Sequence, residues 1–597
     1  MAEGADYSEN FYAGADYGLD PNYAAEFSTG VSPDYRFPTS RFGITTDPRT
    51  ANQLKAVSDK LNTGAKHIEI TGVTAGTWEN VPEQHLTEIK RLKQLAGIDL
   101  TFHGPTIEPT GVTKQGWNES HREQAERQMS QAVERAHKMD PSGNIVVTFH
   151  SSNGLPDPET KVMEEDPKTG KMREVIKEFG TVSHDGRFDF KKVTPDYFRG
   201  KGGEYESLEE QKNAIGAAID KQNKDAWFRQ LQHLSFNANS GASIISDALT
   251  GRELDPDLKK KTDEGQWLQI YSKYMKEKNM SKVIKKIGEP WKGIVEKQLH
   301  RISHGDIYLR DAYQDLQTLY NQAYENAEKD GNDEDLEKLK RYRDEMRVSV
   351  EDIQDPKKID YFAEEIVKGV NVLRSIEAPR AIKPLREFAV DKSSETFSNI
   401  AFNAYKKFKD NAPIVSVENP PAGMGLAQAE DLRDVVGESR KKLQKKLMEQ
   451  ERLSEDAAKK QAEKLIGVTW DVGHINMIRK YGYSEDQLEE QTKEIAPYVK
   501  HVHLSDNFGM EHTELPMGMG NVPTKRMMKM LKQYGKQFDK IKQVIETGTW
   551  FGPQAFGNRT PFAESLSSFG SPIYSMKMAP YWNQASDASG GYFVGYG

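Results

Sequence analysis

The sequence predicts an α/β protein: a (β/α)8 TIM barrel with a large, mainly helical insertion after strand 4 and polar N- and C-terminal arms. Three observations support this prediction. Eight short apolar segments alternate with helical sequence, which favours a parallel sheet with right-handed crossovers. Ligand-type residues lie at the carboxyl ends of these segments, where barrel enzymes hold their active sites. A long charged stretch interrupts the alternation after the fourth segment.

The predicted strands and helices follow one another in the order that a barrel requires. The eight strands are predicted at 42–46, 67–71, 99–105, 144–150, 412–419, 467–474, 499–506 and 542–547. The helices predicted between them from hydrophobic periodicity include 50–62, 82–94, 120–138 and 394–409.

The chain is predicted to divide into five segments. Residues 1–40 form an N-terminal arm rich in Tyr, Gly, Ala, Asp and Ser, without sustained hydrophobic periodicity. Residues 41–155 hold strands 1 to 4 of the barrel, and residues 393–550 hold strands 5 to 8. Between them, residues 156–392 form the insertion, in which hairpin-like pieces precede charged amphipathic helices. Residues 551–597 form a Gly/Ser/Tyr-rich C-terminal arm.

Composition narrows the chemistry that the chain can perform. Its 597 residues include no cysteine, which excludes disulfides and leaves His, Asp and Glu as the side chains for a strong metal site. The formal net charge is −9, so nucleic-acid binding would depend on a local patch or on bound cations. With no apolar run long enough to cross a bilayer and no signal peptide, a soluble cytoplasmic protein without a membrane partner is expected.

The densest group of ligand-type residues lies in segment 500–523. The alternation in HVHL places His501 and His503 on one face of a strand and two aliphatic side chains on the other. His512 and Glu514 follow in a loop marked by Gly and Pro. These residue types are those of a metal site or an acid–base site.

The polar residues at the predicted strand ends form one candidate site. Singly, each has a structural explanation, because a strand-end histidine is often hydrogen-bonded and a strand-end carboxylate often caps the next helix. Jointly, their occurrence at the same end of most strands favours a functional site. The residues concerned are His103, His150, Glu418, Asp471, His474, His503 and Glu546.

Seven short motifs occur in an order typical of a known superfamily. They are HGP at 103–105, HSS at 150–152, VEN at 417–419, DVGH at 471–474, HVHLSD at 501–506, HTELPMGMG at 512–520 and IET at 545–547. The set resembles the xylose-isomerase-like TIM barrels and, among them, the endonuclease IV type of apurinic/apyrimidinic endonuclease (AP endonuclease family 2). The resemblance covers residues 42–155 and 393–550 and leaves out the arms and the insertion.

The resemblance implies up to three bound metal ions, usually Zn2+, with Mn2+ as an alternative. The ligands of the first ion would be His103, His150 and Glu418. The ligands of the second would be Glu418, as a bridge, with Asp471, His503 and Glu546. The ligands of the third would be His474, His512 and Glu514.

The pair from the seventh loop departs from the pattern of that family. The family has an Asp-x-His pair shortly before a G-x-G, and counting back from Gly518 gives His512 and Glu514. The order is inverted, although the third set still comprises two imidazoles and one carboxylate, which suits zinc or manganese. The loop after His103 also lacks the aromatic residue that these endonucleases use on DNA.

The function implied by the resemblance is metal-dependent hydrolysis of a phosphodiester at an abasic or related nucleic-acid site, as in DNA repair. Two cations bridged by a carboxylate lower the pKa of a bound water to about 7, supply a metal-bound hydroxide and offset charge on a phosphoryl transition state. Glu418 and Glu546 are the candidate catalytic residues. A nucleic acid with an abasic site is the expected partner.

Two other functions stay open on the sequence. A sugar (phosphate) isomerase or epimerase would bind one metal and a small sugar, and Glu418 and Glu546 would move protons beside its carbonyl. The ligands of that metal would be Glu418, Asp471, His503 and Glu546. His103 and His150 would then contact the sugar or be structural. Alternatively, the barrel is not catalytic, and the insertion and arms mediate self-association or binding of a protein partner.

Overall fold

The computed structural model describes most of the chain between residues 42 and 547. The residues of that range outside the description are 49, 62–64, 73, 167–168, 194–206, 251–257, 259–263, 278–280, 282–283, 286–287, 347–358 and 537. Beyond it, Ser565 is described. The arms predicted at 1–40 and, apart from Ser565, at 551–597 lie outside the described residues.

Eight parallel strands form a closed barrel, which confirms the predicted (β/α)8 fold. In chain order, the barrel strands are Phe42–Thr45, His67–Thr71, Asp99–His103, Val146–His150, Ile414–Glu418, Ile466–Asp471, Val499–Leu504 and Lys542–Ile545. Each pairs in parallel with the next, and the eighth pairs with the first. The carboxyl ends of all eight strands therefore lie at one end of the barrel.

The sixth barrel strand is shorter than predicted. The prediction extended it to His474, but the strand ends at Asp471, and Val472–Asn476 form a short helix. The Oδ1 atom of Asp471 accepts a hydrogen bond from the backbone N–H of His474 at 2.7 Å. Because such an N-cap satisfies a free N–H group of the first helical turn, it favours a helix at this point. His474 therefore projects from a helix.

Helices of the barrel unit bury apolar faces in the main hydrophobic core. They are Gln53–Leu61, Ala75–Glu79, Glu83–Ala96, Glu119–Met139, Leu385–Phe408, Ala429–Glu451, Glu455–Leu465, Val472–Asn476, Glu485–Ile495 and Thr524–Tyr534. In Ala429–Glu451, for example, Leu432, Val435 and Val436 are fully buried. Their spacing is that of one helical face, which explains why this sequence packs as an amphipathic helix.

An antiparallel sheet follows the fourth barrel strand, where the sequence predicted hairpin-like pieces. Its main strands are Glu159–Glu165, Met172–Ser183 and Phe188–Lys192. Other short strands are Val112–Thr113, Gly116–Trp117 and Ile382–Pro384. Residues 167–168 of the predicted turn lie outside the described residues.

The chain contains two compact units. The barrel unit comprises the described residues up to Lys212 and from Lys383 onward, and the second unit is Asn213–Ile382. The second unit has its own apolar core, which includes Trp227 and Trp267. The helices in this part of the chain are Leu208–Thr250, Glu264–Glu277, Lys292–Asp330, Asp333–Glu345 and Ile359–Arg374. None of the described helices could cross a membrane. The finer division into five segments stays a prediction.

The interior of the barrel is polar below the strand ends. Barrel interiors are ordinarily filled by branched apolar side chains, but His67, Glu69, Thr101, His501 and His503 are all buried here. Nε2 of His501 lies 2.9 Å from Oε2 of Glu69. Since the second and seventh strands are not neighbours in the barrel, this contact crosses its interior.

Gly43 on the first strand leaves room for the His67 ring, and its substitution should be costly. A Cβ atom at Gly43 would lie 2.2 Å from Cδ2 of His67 and 3.0 Å from its carbonyl oxygen. Because overpacking a closed interior costs about 1–3 kcal/mol, Gly43→Ala is expected to reduce the free energy of unfolding by that order, measured by urea denaturation.

The matched control for this prediction is Gly437→Ala on helix Ala429–Glu451, where the new Cβ atom would meet nothing within 4 Å. Replacing a glycine inside a helix removes backbone freedom from the unfolded chain, so this variant is expected to gain roughly 0.5–1 kcal/mol. Equal stability of the two variants would contradict the close packing at His67.

Candidate metal centre

Glu418, at the end of the fifth strand, presents its two carboxylate oxygens to different groups. Oε1 lies 2.6 Å from Nδ1 of His503. Oε2 lies 3.2 Å from Nε2 of His103 and 3.4 Å from Nε2 of His150. Burial opposes ionisation of Glu418, but the three histidines outweigh it and hold its pKa well below the usual range. One charged carboxylate thus joins two groups of histidines, as a bridging ligand would.

Asp471 and Glu546 complete the group on the His503 side of this carboxylate. Oε2 of Glu546 lies 3.0 Å from Nδ1 of His503. One ligand atom from each of Glu418, Asp471, His503 and Glu546 lies within 4.8 Å of the others. Because Asp471 caps a helix with Oδ1, its Oδ2 atom is left for this group. We call the four residues, with His103 and His150, the inner set.

The carboxylates of the inner set have too few hydrogen-bond donors around them. This shortage shows whether a metal ion would suit the site. Oε2 of Glu418, Oδ2 of Asp471 and Oε2 of Glu546 are buried and, among the described residues, make no hydrogen bond of ordinary geometry, although histidine nitrogens lie near the two glutamate oxygens. Burial raises the pKa of Asp471, and the neighbouring glutamates raise it further. Buried carboxylates are normally paired or coordinate a metal. A divalent cation would supply both the missing positive charge and the missing partner. The residues of the inner set therefore suit divalent cations.

Backbone carbonyls orient two of the candidate ligands. Nδ1 of His103 donates to the carbonyl of Gly104, and Nδ1 of His474 donates to that of Asn419, both at 2.8 Å. Because a carbonyl oxygen only accepts, each Nδ1 carries a proton, and Nε2 of each ring faces the candidate ligands. Burial opposes a charge on His103, but Glu418 raises its pKa to about 9. A cation would displace the second proton of that ring.

His474, His512 and Glu514 form a second group, which we call the outer set. Nε2 of His512 lies 2.8 Å from Nε2 of His474 and 2.9 Å from Oε1 of Glu514. Burial and the neighbouring His512 lower the pKa of His474 to about 3, so this ring is neutral near pH 7. Two imidazole nitrogens and one carboxylate oxygen that meet in this way suit zinc. The inverted order of the loop pair does not keep these side chains apart.

Asp506 fixes the loop that carries the outer set. Its carboxylate accepts hydrogen bonds from the backbone N–H groups of Gly518 and Val522 at 2.8 and 3.0 Å, and its backbone pairs with Leu515. Glu514 has a φ of 45°, a left-handed conformation that residues other than Gly rarely adopt. The loop therefore holds a strained backbone at one of the candidate ligands.

All the candidate ligands predicted from the sequence lie at the carboxyl end of the barrel. The rings of His150 and His474, one from each set, have centroids 5.9 Å apart. The residues brought together in the two sets are His103, His150, Glu418, Asp471, His474, His503, His512, Glu514 and Glu546.

Sequence reasoning missed Glu69. Its buried carboxylate lies 2.9 Å from Nε2 of His503 through Oε1 and 2.9 Å from Nε2 of His501 through Oε2. Glu69 lies within the second strand, whereas ligands were sought at strand ends. The available signal was the alternation in HIEIT, which places a glutamate between two isoleucines on the same face as His67.

One comparison with known proteins, a match to a family model, agrees with the barrel. Residues 449–566 match the family model of the Xylose isomerase-like TIM barrel. No curated protein matches the sequence. Among solved structures, a D-tagatose 3-epimerase-like protein is similar with 20% identity over 34% of this chain and 65% of that chain, less than two thirds of its length, at a TM-score of 0.19. At that score the similarity carries no argument about activity. The matched residues 449–566 include the last three strands of the barrel, and the closed eight-stranded barrel agrees with the fold that the family model describes.

Proposed function

We propose that the protein is a metal-dependent phosphodiester hydrolase that acts at abasic or related sites of a nucleic acid. The observation that carries this proposal is the bridging position of Glu418. Its Oε1 faces His503, and its Oε2 faces His103 and His150. A carboxylate between two cations is characteristic of centres that hydrolyse phosphate esters. An isomerase with one metal would not need the histidines on the Oε2 side as metal ligands.

The inner set would hold two divalent cations and the outer set a third, with zinc or manganese as the ions that suit these ligands. When bound, the cations would acidify a water molecule and offset the negative charge that develops on the phosphoryl group. They would also offset the negative charge of the chain at the site, so that an acidic protein could bind a polyanion there.

Asn419 forms hydrogen bonds with one candidate ligand from each set. Its side chain donates to the backbone carbonyl of Asp471 at 3.0 Å and accepts from the backbone N–H of the same residue at 2.8 Å. Its own backbone carbonyl accepts from Nδ1 of His474 at 2.8 Å. One asparagine therefore positions a candidate ligand of each set.

Solvent exposure rises from the inner set to the outer set. The side chains of Glu418 and His503 are fully buried, whereas that of His512 is 36% exposed. A substrate would therefore approach from the side of the outer set. Bulk water would be excluded from the inner carboxylates, and their electrostatic interactions would be strong for that reason.

The protein loaded with zinc or manganese is expected to nick a DNA duplex at a single abasic site. The products, separated on a denaturing gel, report the position of the break. The control is a duplex of the same sequence with an intact nucleotide at that position, which is expected to stay whole. Absence of a break in the abasic duplex would contradict the proposal.

Sugar isomerisation or epimerisation is the second candidate. It is favoured by the four-residue group of Glu418, Asp471, His503 and Glu546, which could hold one cation without the other histidines. The two glutamates would then move protons beside the carbonyl of a ketose or aldose. Elemental analysis separates the candidates, since close to three ions per chain favours the hydrolase and close to one ion favours the isomerase.

A further inference from the structure

We propose that Glu69 is a positioning residue that orients His503, so that His503 binds metal through Nδ1. This inference rests on the metal-binding part of the proposed function but does not depend on which substrate is used. Glu69 belongs to neither the inner nor the outer set. It acts from inside the barrel, on the side of the His503 ring that faces away from Glu418.

The His503 ring lies between carboxylates that contact its opposite nitrogens, two at Nδ1 and one at Nε2. Nδ1 lies 2.6 Å from Oε1 of Glu418 and 3.0 Å from Oε2 of Glu546. Nε2 lies 2.9 Å from Oε1 of Glu69. The contact between His503 Nε2 and Glu69 Oε1 is an ion pair by distance, because neither atom makes a hydrogen bond of ordinary geometry among the described residues. Turning the ring would lose this contact and the contacts at Nδ1.

The other carboxylate oxygen of Glu69, Oε2, has partners of its own. Oε2 accepts a hydrogen bond from Oγ1 of Thr101 at 2.8 Å and lies 2.9 Å from Nε2 of His501. Oγ1 of Thr101 is in turn 3.1 Å from Nε2 of His67. Since the hydroxyl proton of Thr101 goes to Glu69, its oxygen is free to accept from His67. These bonds leave Oε1 of Glu69 directed at His503.

A buried glutamate at this position destabilises the fold, and its presence therefore indicates a function. Glu69 is fully buried, and moving a carboxylate out of water is unfavourable even after the protein relaxes around it. A branched apolar residue is the usual occupant of a barrel interior. His501, Thr101 and His503 together offset the loss of hydration of this carboxylate. Removing any one of them would leave the buried charge without one of its partners.

The consequence for His503 is a defined tautomer. In the structure, Nδ1 of His503 donates to Glu418. A cation bound beside Nδ1 would displace that proton, and the carboxylate beside Nε2 would keep the remaining proton on Nε2 and leave the lone pair of Nδ1 for the cation. An anionic partner on the far nitrogen also makes an imidazole a stronger ligand, and loss of such a partner typically weakens metal binding by about 10–100-fold.

The test compares zinc binding to the metal-free full-length protein by calorimetry, without any substrate. Glu69→Gln keeps the shape of the side chain and removes its charge, and it is expected to weaken binding at the inner set by about 10–100-fold. Binding at the outer set is expected to stay unchanged. The control is Thr148→Val, which removes a buried hydroxyl that bonds Thr469 in the same barrel at 2.9 Å and is expected to leave both affinities unchanged.

The outcomes separate this inference from the proposed function. Wild-type affinity in a folded Glu69→Gln variant would overturn the positioning role and leave the hydrolase proposal intact. Weaker binding in that variant, with no nicking by the wild type, would support the role of Glu69 and contradict the hydrolase. If the wild type binds no zinc at the inner set, both are overturned.

A second measurement keeps the inference testable if Glu69→Gln does not fold. Side-chain nitrogen NMR of the wild type, labelled at histidine and loaded with zinc, reports which nitrogen of each ring carries the proton. His503 is assigned by the signal that disappears in His503→Gln. A proton on Nε2 supports the proposal, and a proton on Nδ1 overturns it.

Discussion

Glu418→Gln is expected to lower phosphodiester hydrolysis by roughly 10³-fold, because losing several kcal/mol of charge stabilisation at a metal centre corresponds to about that factor in rate. It is also expected to reduce the metal content of the protein. The substitution keeps the size of a side chain that is fully buried. It removes the charge from the carboxylate that faces His503 with one oxygen and His103 and His150 with the other. Initial rates of nicking and elemental analysis check the two effects.

Glu126→Gln is the matched control for this substitution. It removes a carboxylate charge from helix Glu119–Met139, where Glu126 pairs with Arg122 at 2.7 Å. That variant is expected to keep both its metal and its activity. Full activity of Glu418→Gln with an unchanged metal content would remove the bridging assignment and, with it, the observation that carries the proposed function.

Removal of metal with a chelator is expected to abolish nicking and to lower the temperature of unfolding. Three buried carboxylate oxygens of the inner set have no hydrogen-bond partner among the described residues, so without a cation only the neighbouring histidines offset their mutual repulsion. A ligand at about 1,000 times its Kd stabilises a folded protein by about 4 kcal/mol. Thermal unfolding before and after chelation measures this effect, and nicking assays on the same samples measure activity.

Readdition of zinc or manganese is expected to restore both activity and stability. The control is chelator saturated with zinc beforehand, which binds no metal from the protein and should leave it unaffected. A protein that keeps its activity and its unfolding temperature when its metal is no longer detectable would contradict every metal-dependent function considered for it.

The prediction from sequence succeeded where local pattern was enough. The apolar runs of the eight strands and the helical periodicity between them are properties of neighbouring residues, and the closed barrel confirms them. His103, Glu418 and His503 could be named as candidate ligands because parallel strands bring their carboxyl ends to one edge. Alternation in the seventh strand likewise placed His501 and His503 on the same face.

The prediction was incomplete where a residue has two roles or a distant partner. The predicted sixth strand was too long. The reason is that the carboxylate of Asp471 caps a helix with one oxygen and faces the inner set with the other. Glu69 was missed because its partner His501 lies 432 positions away along the chain. Nothing within the second strand alone distinguishes a positioning glutamate from an isolated buried charge.

By itself, the sequence determined the strand order, the end of the barrel that carries the site and the residue types available to it. Those properties follow from hydrophobic period and from the handedness of the crossovers, which act locally. Only the tertiary structure decided which oxygen of Glu418 faces which histidine and which nitrogen of His503 faces Glu69. The physical reason is that closure of the barrel sets the distances between strands that are remote in the chain, and hydrogen bonds then select one orientation for each ring.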